Sequence, residues 1–118
     1  MEALMTPGEI IEKLNIAQLA LTRGNAEIKT LGIKKAETKK QYSIALNKKM
    51  LELKLEKFPA TLIQDLARGD EKVAELRLHK DIAESAYFTA INAEDNLRLE
   101  IETLRSMLTW LRVELKNN

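Results

Sequence analysis

From Asp70 to Lys116 the chain runs 47 residues without a glycine or a proline. Read in steps of three and four, this stretch gives Val73, Leu76, Lys80, Ala83, Tyr87, Ala90, Glu94, Leu97, Ile101, Leu104, Leu108, Leu111 and Leu115. It is a seven-residue apolar repeat broken only at Lys80 and Glu94, and such a stripe persists as a helix by burying itself on another helix.

The partner lies upstream. Thr6-Pro7-Gly8-Glu9 reads as a helix start: Thr6 caps, Pro7 suits the first helical position, and Glu9 completes a capping box. Met1 to Met5 is an apolar lead, with Met5 placed to staple onto Ile10. A matching ladder follows: Ile10, Leu14, Ala17, Leu21, Gly24, Ile28, Leu31, Lys35, Thr38, Tyr42, Ala45 and Lys49. It turns polar in the middle, and a neighbouring row of Tyr42, Leu46, Met50 and Leu53 takes over, as a 3.6-residue period drifts against a heptad. Gly24 and Gly32 sit inside this helix, each costing up to about 1 kcal/mol relative to alanine. A break near Arg23-Gly24-Asn25 is one way the segment would relieve that cost. Phe58-Pro59 ends the helix, because the residue before proline leaves the helical region. Thr61 with Gln64 repeats the capping-box pattern over a short helix at 62–68, Gly69 stops it, and Asp70 caps the long second helix.

The fold class expected is all-α: a long antiparallel, coiled-coil-like helical hairpin with a short helix at the turn, associating into a helical bundle. It forms a single domain over 1–118, with a helix at 7–57, the turn and short helix at 58–69, and a helix at 70–116. A reversal near residues 60–67 puts residue i opposite roughly residue 127 − i. That register joins the two most apolar stretches, 10–31 and 97–115. It also sets nine lysines against three glutamates in residues 29–57 near six acids and one arginine in residues 81–102. Glu94 would then meet Lys34 or Lys35, or fix register as a polar core residue; Lys80 would face Asn47 or Lys48, and Tyr87 a position near Lys40.

More apolar surface is present than one seam needs. Ile11, Ile16 and Leu19 flank the first stripe, and Leu99, Met107 and Trp110 lie off the second. An apolar surface of that width associates, so these six residues are the expected oligomer interface, in a homo-oligomer or with another protein whose identity the residues do not specify. Fold-back of residues 1–25 over the excess is the rival reading.

Chemistry-bearing motifs are sparse. There is no cysteine, and His79 is the single histidine, among charged neighbours that suit a solvated face. Metal sites draw on two or more nitrogen or sulfur ligands, and no Glu-x-x-His stands where a bundle metal site needs one. No nucleophile–base pair is visible, and the glycine spacing is not that of a phosphate loop. The reading is non-enzymatic, with no cofactor, metal or catalytic residue. Formal net charge is +1. The absence of cysteine suits a reducing compartment, no apolar run spans a bilayer, and no signal peptide is evident. A cytoplasmic protein without membrane contact is expected. Lys34, Lys35, Lys39 and Lys40, extended by Lys48 and Lys49, make the most basic surface. They are the candidate nucleic-acid contacts through phosphate neutralisation, with Tyr42, Tyr87 and Phe88 near enough to add stacking.

The stretch Phe58-Pro59-Ala60-Thr61-Leu62-Ile63-Gln64-Asp65-Leu66-Ala67-Arg68-Gly69-Asp70, with Ala83-Glu84-Ser85-Ala86-Tyr87 and Leu104-Arg105-Ser106-Met107-Leu108, resembles small all-helical early-region proteins of temperate phages of Gram-positive bacteria. The resemblance covers mainly residues 58–112 and carries no functional site. It implies a phage or mobile-element origin, in the host cytoplasm, and a role either in engaging a host or phage protein or in recombination and replication. A scaffolding subunit is the third reading. Secreted hairpins of the WXG type fit less well, since their Trp-x-Gly turn is missing and the only tryptophan is Trp110.

Overall fold

The computed structural model describes residues 5–117, so Met1 to Leu4 of the apolar lead lie outside the described residues. Three helices follow one another: α1 (Pro7–Leu55), α2 (Ala60–Arg68) and α3 (Glu71–Asn117). No strand occurs among the described residues. The fold class is all-α, with two long helices and a short one between them.

The helix ends show why the elements start and stop where they do. The Glu9 amide donates to Thr6 Oγ1 at 3.2 Å, and the Ile10 amide to the Thr6 carbonyl at 3.1 Å, so Thr6 caps α1 as expected. Asp70 caps α3 in the same way: Val73 N donates to Asp70 Oδ2 at 3.2 Å, and Ala74 N to the Asp70 carbonyl at 2.8 Å. At the other end of α1, Lys57 adopts φ 66°. Its amide donates to the Lys54 carbonyl, and the Phe58 amide donates to Leu53, each at 3.1 Å. These are the paired bonds of a Schellman cap, with a lysine at the left-handed position usually held by glycine.

One expectation about this region is corrected. α2 begins at Ala60 with Pro59 at its N-cap, and no side chain caps it. Thr61 is already helical, because Leu62 N reaches back to the Pro59 carbonyl at 2.9 Å; the Thr61–Gln64 capping box is not used. The continuous first helix is as expected, and the alternative of a break near Gly24 is not taken. α1 passes through Gly24 and Gly32 without interruption, since a glycine costs less than the hydrogen bonds that a break in mid-helix would forfeit.

The chain packs as two compact units. In the first, the described parts of Met1–Ile28 and Thr89–Asn118 pack together. Ile10, Ala17, Ile101 and Leu104 are its buried apolar residues. The buried carboxylate of Glu94 accepts from Arg98 Nη2 at 2.7 Å. The Asn25 carboxamide, with its nitrogen turned toward the acid, donates to Glu94 Oε2 at 3.0 Å and also to Oε1. Glu94 therefore meets Arg98 one turn along and Asn25 across the seam, not Lys34 or Lys35.

The second unit, Lys29–Phe88, is an antiparallel hairpin closed by α2. Leu53, Ala67, Val73 and Ala83 are its buried apolar residues. Tyr87 lies against Gly32, where an added Cβ would sit 3.5 Å from Cε2 of the ring. Lys35 Nζ stands 5.5 Å over the Tyr87 ring, and Lys80 Nζ stands 5.5 Å over the Tyr42 ring. Lys49 Nζ is 3.6 Å from Asp70 Oδ1. These pairs put residue i opposite roughly residue 120 − i. Lys80 thus meets Tyr42 rather than Asn47 or Lys48, and Tyr87 meets Gly32 and Lys35 rather than Lys40. The Schellman cap turns the chain at Lys57, ahead of the middle of the 58–70 segment. The reversal is centred near residue 60, and α2 belongs to the returning arm.

Candidate interaction surface

The interior is thin. Among the described residues eight apolar side chains are buried, and Ile10 is the one large side chain fully enclosed. Seventeen large apolar residues are exposed, and most of the other large apolar side chains are half-buried rather than enclosed. Seams accept polar residues instead. Lys35, Thr38 and Lys49 hold stripe positions and are half-buried, because a lysine lays its methylenes along apolar surface and carries its charge to the edge.

In the first unit, Ile11, Ile16, Leu19, Leu99 and Trp110 are exposed as expected, Trp110 at 60%. Met107 is the exception: it is half-buried. It joins Trp110, Met5, Ser106 and Leu111 around an open, almost wholly apolar groove of about 420 Å³. At 100° per residue, Leu99 and Trp110 differ by only about 20° in direction, and Ile16 and Leu19 by about 60°. Ile11 stands about 80° away from Leu19 round α1. The six residues therefore do not form one patch. Met107 and Trp110 share the groove, Leu99 and Trp110 share a line along the outer side of α3, and Ile16 and Leu19 share the outer side of α1. The α3 line also carries Asn92, Asn96, Thr103, Ser106 and Val113, all of them exposed, with the exposed acids Asp95 and Glu114 at its edges.

The lysines of α1 are placed differently from expectation. Lys35 is engaged with Tyr87 and stands 5.6 Å over the Phe88 ring as well. Lys49 pairs with Glu52 at 3.2 Å and with Asp70. Its hydrogen bond to Glu52 holds its pKa above the ordinary lysine value, helped by the charges of Glu52, Asp70 and Glu56. Lys80 is raised likewise, first by its hydrogen bond to Asp81. Lys34, Lys39, Lys40 and Lys48 are exposed; at 100° per residue Lys34 and Lys48 lie within about 40° of each other, whereas Lys40 stands about 80° and Lys39 about 180° from Lys48, so the four do not form one patch. Lys49–Asp70 is the one ion pair among the described residues that joins α1 to the returning arm, at the residue that caps α3; the others lie within α1 or within α3. Charge complementarity across the hairpin is thus used at a single point, in keeping with the small value of exposed pairs.

No family model, curated protein or solved structure matches this chain.

Several exposed rows lie outside the sequence-derived set. In the second unit Ile33, Ile44, Leu51 and Leu55 on α1 are exposed, as are Leu78 and Ile82 on α3. Phe58, Leu62 and Leu66 are exposed around α2. The spacing of 33, 44 and 55 was the available signal, since eleven residues bring a helix back to nearly the same direction. His79 is exposed, on the rim of a groove with Lys34, Glu37, Gln41 and Ile82. No group of three or more His, Cys, Asp or Glu is placed to hold a metal among the described residues. No described helix is long and apolar enough to cross a membrane.

Proposed function

We propose that this is a non-enzymatic helical protein that acts through protein–protein contacts, offering exposed helix faces to further copies of itself and to a host or phage partner. The observation that carries the reading is the imbalance between eight buried apolar residues and seventeen exposed large ones, with Trp110 beside an apolar groove. A tryptophan and two methionines around an almost wholly apolar groove are the composition of an interface centre rather than of a solvated surface. A phage origin and a place in the host cytoplasm belong to the same proposal and are supported by the sequence resemblance alone. The reading is tested by sedimentation of the full chain with and without Trp110→Ala. Association that this substitution weakens, with helicity unchanged by circular dichroism, supports it; a chain that stays monomeric at high concentration refutes it.

Nucleic-acid binding is the second reading, favoured by the exposure of Lys34, Lys39, Lys40 and Lys48. Their spread round α1, with Lys35 and Lys49 engaged elsewhere, ranks it below the first. Fluorescence polarisation with single- and double-stranded oligonucleotides at low salt tests it. Binding abolished by Lys34→Glu with Lys48→Glu, and weakened steeply by salt, would promote it.

A further inference from the structure

We propose that Lys29–Phe88 carries two mutually complementary outer faces through which a second copy of this chain docks head to tail: the lysine-bearing face of α1 in one copy seats on the glutamate-bearing face of α3 in the next. The inference rests on the reading that exposed helix faces are contact surfaces, and it is independent of Trp110.

On α1, Ile33, Ile44, Leu51 and Leu55 fall within about 40° of one line at 100° per residue. That line is on the far side of the helix from Lys35, Thr38, Tyr42, Ala45 and Lys49, which face the seam. All four apolar side chains are exposed, between 47% and 75%. Lys29, Lys40, Lys48 and Lys54 flank them, against a single acid, Glu37. On α3, Glu71, Glu75, Leu78 and Ile82 fall within about 60° of one line, again away from the seam residues Val73, Lys80, Ala83 and Tyr87. Leu78 and Ile82 are 56% and 58% exposed.

One face is therefore apolar with a positive border, and the other is apolar with a negative border. Neither can pair with a copy of itself without setting like charges together. They fit each other in the register the hairpin already uses. An α1 laid antiparallel on the outer side of α3, with residue i again near residue 120 − i, brings Ile44 to Leu78, Lys48 to Glu71 and Lys40 to Asp81. Asp81 now bonds Lys80 of its own helix at 3.0 Å, so it adds to the negative border without being its main element. Because the two complementary faces belong to one molecule and match in register, a second copy is the occupant. A contact between unlike faces leaves one of each unsatisfied at the ends, so assembly proceeds with concentration.

The test is sedimentation of the full chain in salt from about 0.01 M to about 1 M, over which the Debye length falls from about 30 Å to about 3 Å. The expected result is a mass that rises steeply with protein concentration at low salt and less steeply at high salt, where the Trp110-dependent association alone remains. Two variants separate the faces: Lys40→Glu with Lys48→Glu, and Glu71→Lys with Glu75→Lys. All four positions are exposed, and circular dichroism checks that each variant remains helical. Each alone is expected to lose about tenfold or more in apparent association constant at low salt. An equimolar mixture is expected to recover it, because each reversed face then meets its reversed complement and the unaltered faces still match. A wild-type mass that does not respond to salt overturns the proposal. So does undiminished association of either variant, or a mixture that fails to recover. A wild-type chain that is monomeric at low salt also overturns it and leaves the two rows to a partner of another sequence. Trp110→Ala is expected to leave the salt-dependent rise in place. Loss of the Trp110 effect alone counts against the proposed function, and loss of the salt-dependent rise alone counts against this inference.

Discussion

Lys57 is the residue whose conformation the side chain does least to support. A left-handed backbone costs an L-residue other than glycine about 1–2 kcal/mol, and asparagine or aspartate less. Lys57→Gly is expected to raise stability by up to about 1 kcal/mol, part of the gain being offset by the greater freedom of glycine in the unfolded chain. A higher urea midpoint with an unchanged m-value would bear this out. The helical glycines give a paired comparison. A Cβ at Gly24 meets nothing within 4 Å, so Gly24→Ala should stabilise by about 0.5–1 kcal/mol. At Gly32 the Tyr87 ring lies 3.5 Å from that Cβ. Contact there is ordinary, and Gly32→Ala is expected to be tolerated, with a smaller rise in urea midpoint than Gly24→Ala gives because the added methyl must fit against the Tyr87 ring rather than into open space.

At the scale of elements, both long stripes were legible because the repeat is strict. Every stripe residue of α3 from Val73 to Leu111 is buried or half-buried, and so is every stripe residue of α1 from Ile10 to Lys49. The caps at Thr6 and Asp70 were legible because side-chain oxygens at helix starts have a narrow chemistry. The register was not, because it depends on where the chain turns, and a lysine at the left-handed position gives no sequence signal of the kind glycine gives. The partner of Glu94 was misplaced for the same reason. Glu94 is 8% exposed, whereas Arg98 and Asn25 lie at the surface. Arg98→Ala is expected to cost about 1–2 kcal/mol, since it leaves a buried carboxylate with Asn25 as its remaining donor. Glu94→Leu is expected to be neutral or stabilising, because both donors return to water. Chemical denaturation of the two variants side by side reads the difference; equal losses would mean that the pair contributes net stability.

For the whole molecule the balance of buried and exposed apolar surface decides the function argued here. The sequence located part of the surface through residues beside the strongest stripes: Ile16, Leu19, Leu99 and Trp110 are exposed, whereas Met107 lines the groove half-buried. It missed the rows opposite the seam in Lys29–Phe88, where lysines and glutamates interrupt the apolar pattern and hide it. Lys49 and Lys80 do not make this balance sensitive near neutral pH. Their pKa values are raised, so what they contribute is fully present below the ordinary lysine value and is lost only as pH rises through the folded-state values above it.

Sedimentation equilibrium of the wild-type chain beside Trp110→Ala, in salt high enough to silence the charged faces, bears most directly on the claim that exposed helix faces of this protein are contact surfaces. The expected result is a wild-type mass above the 13.4 kDa of one chain, falling toward that mass in the variant while helicity is retained. A wild-type mass of 13.4 kDa at high concentration, or a variant that associates as the wild type does, would contradict it.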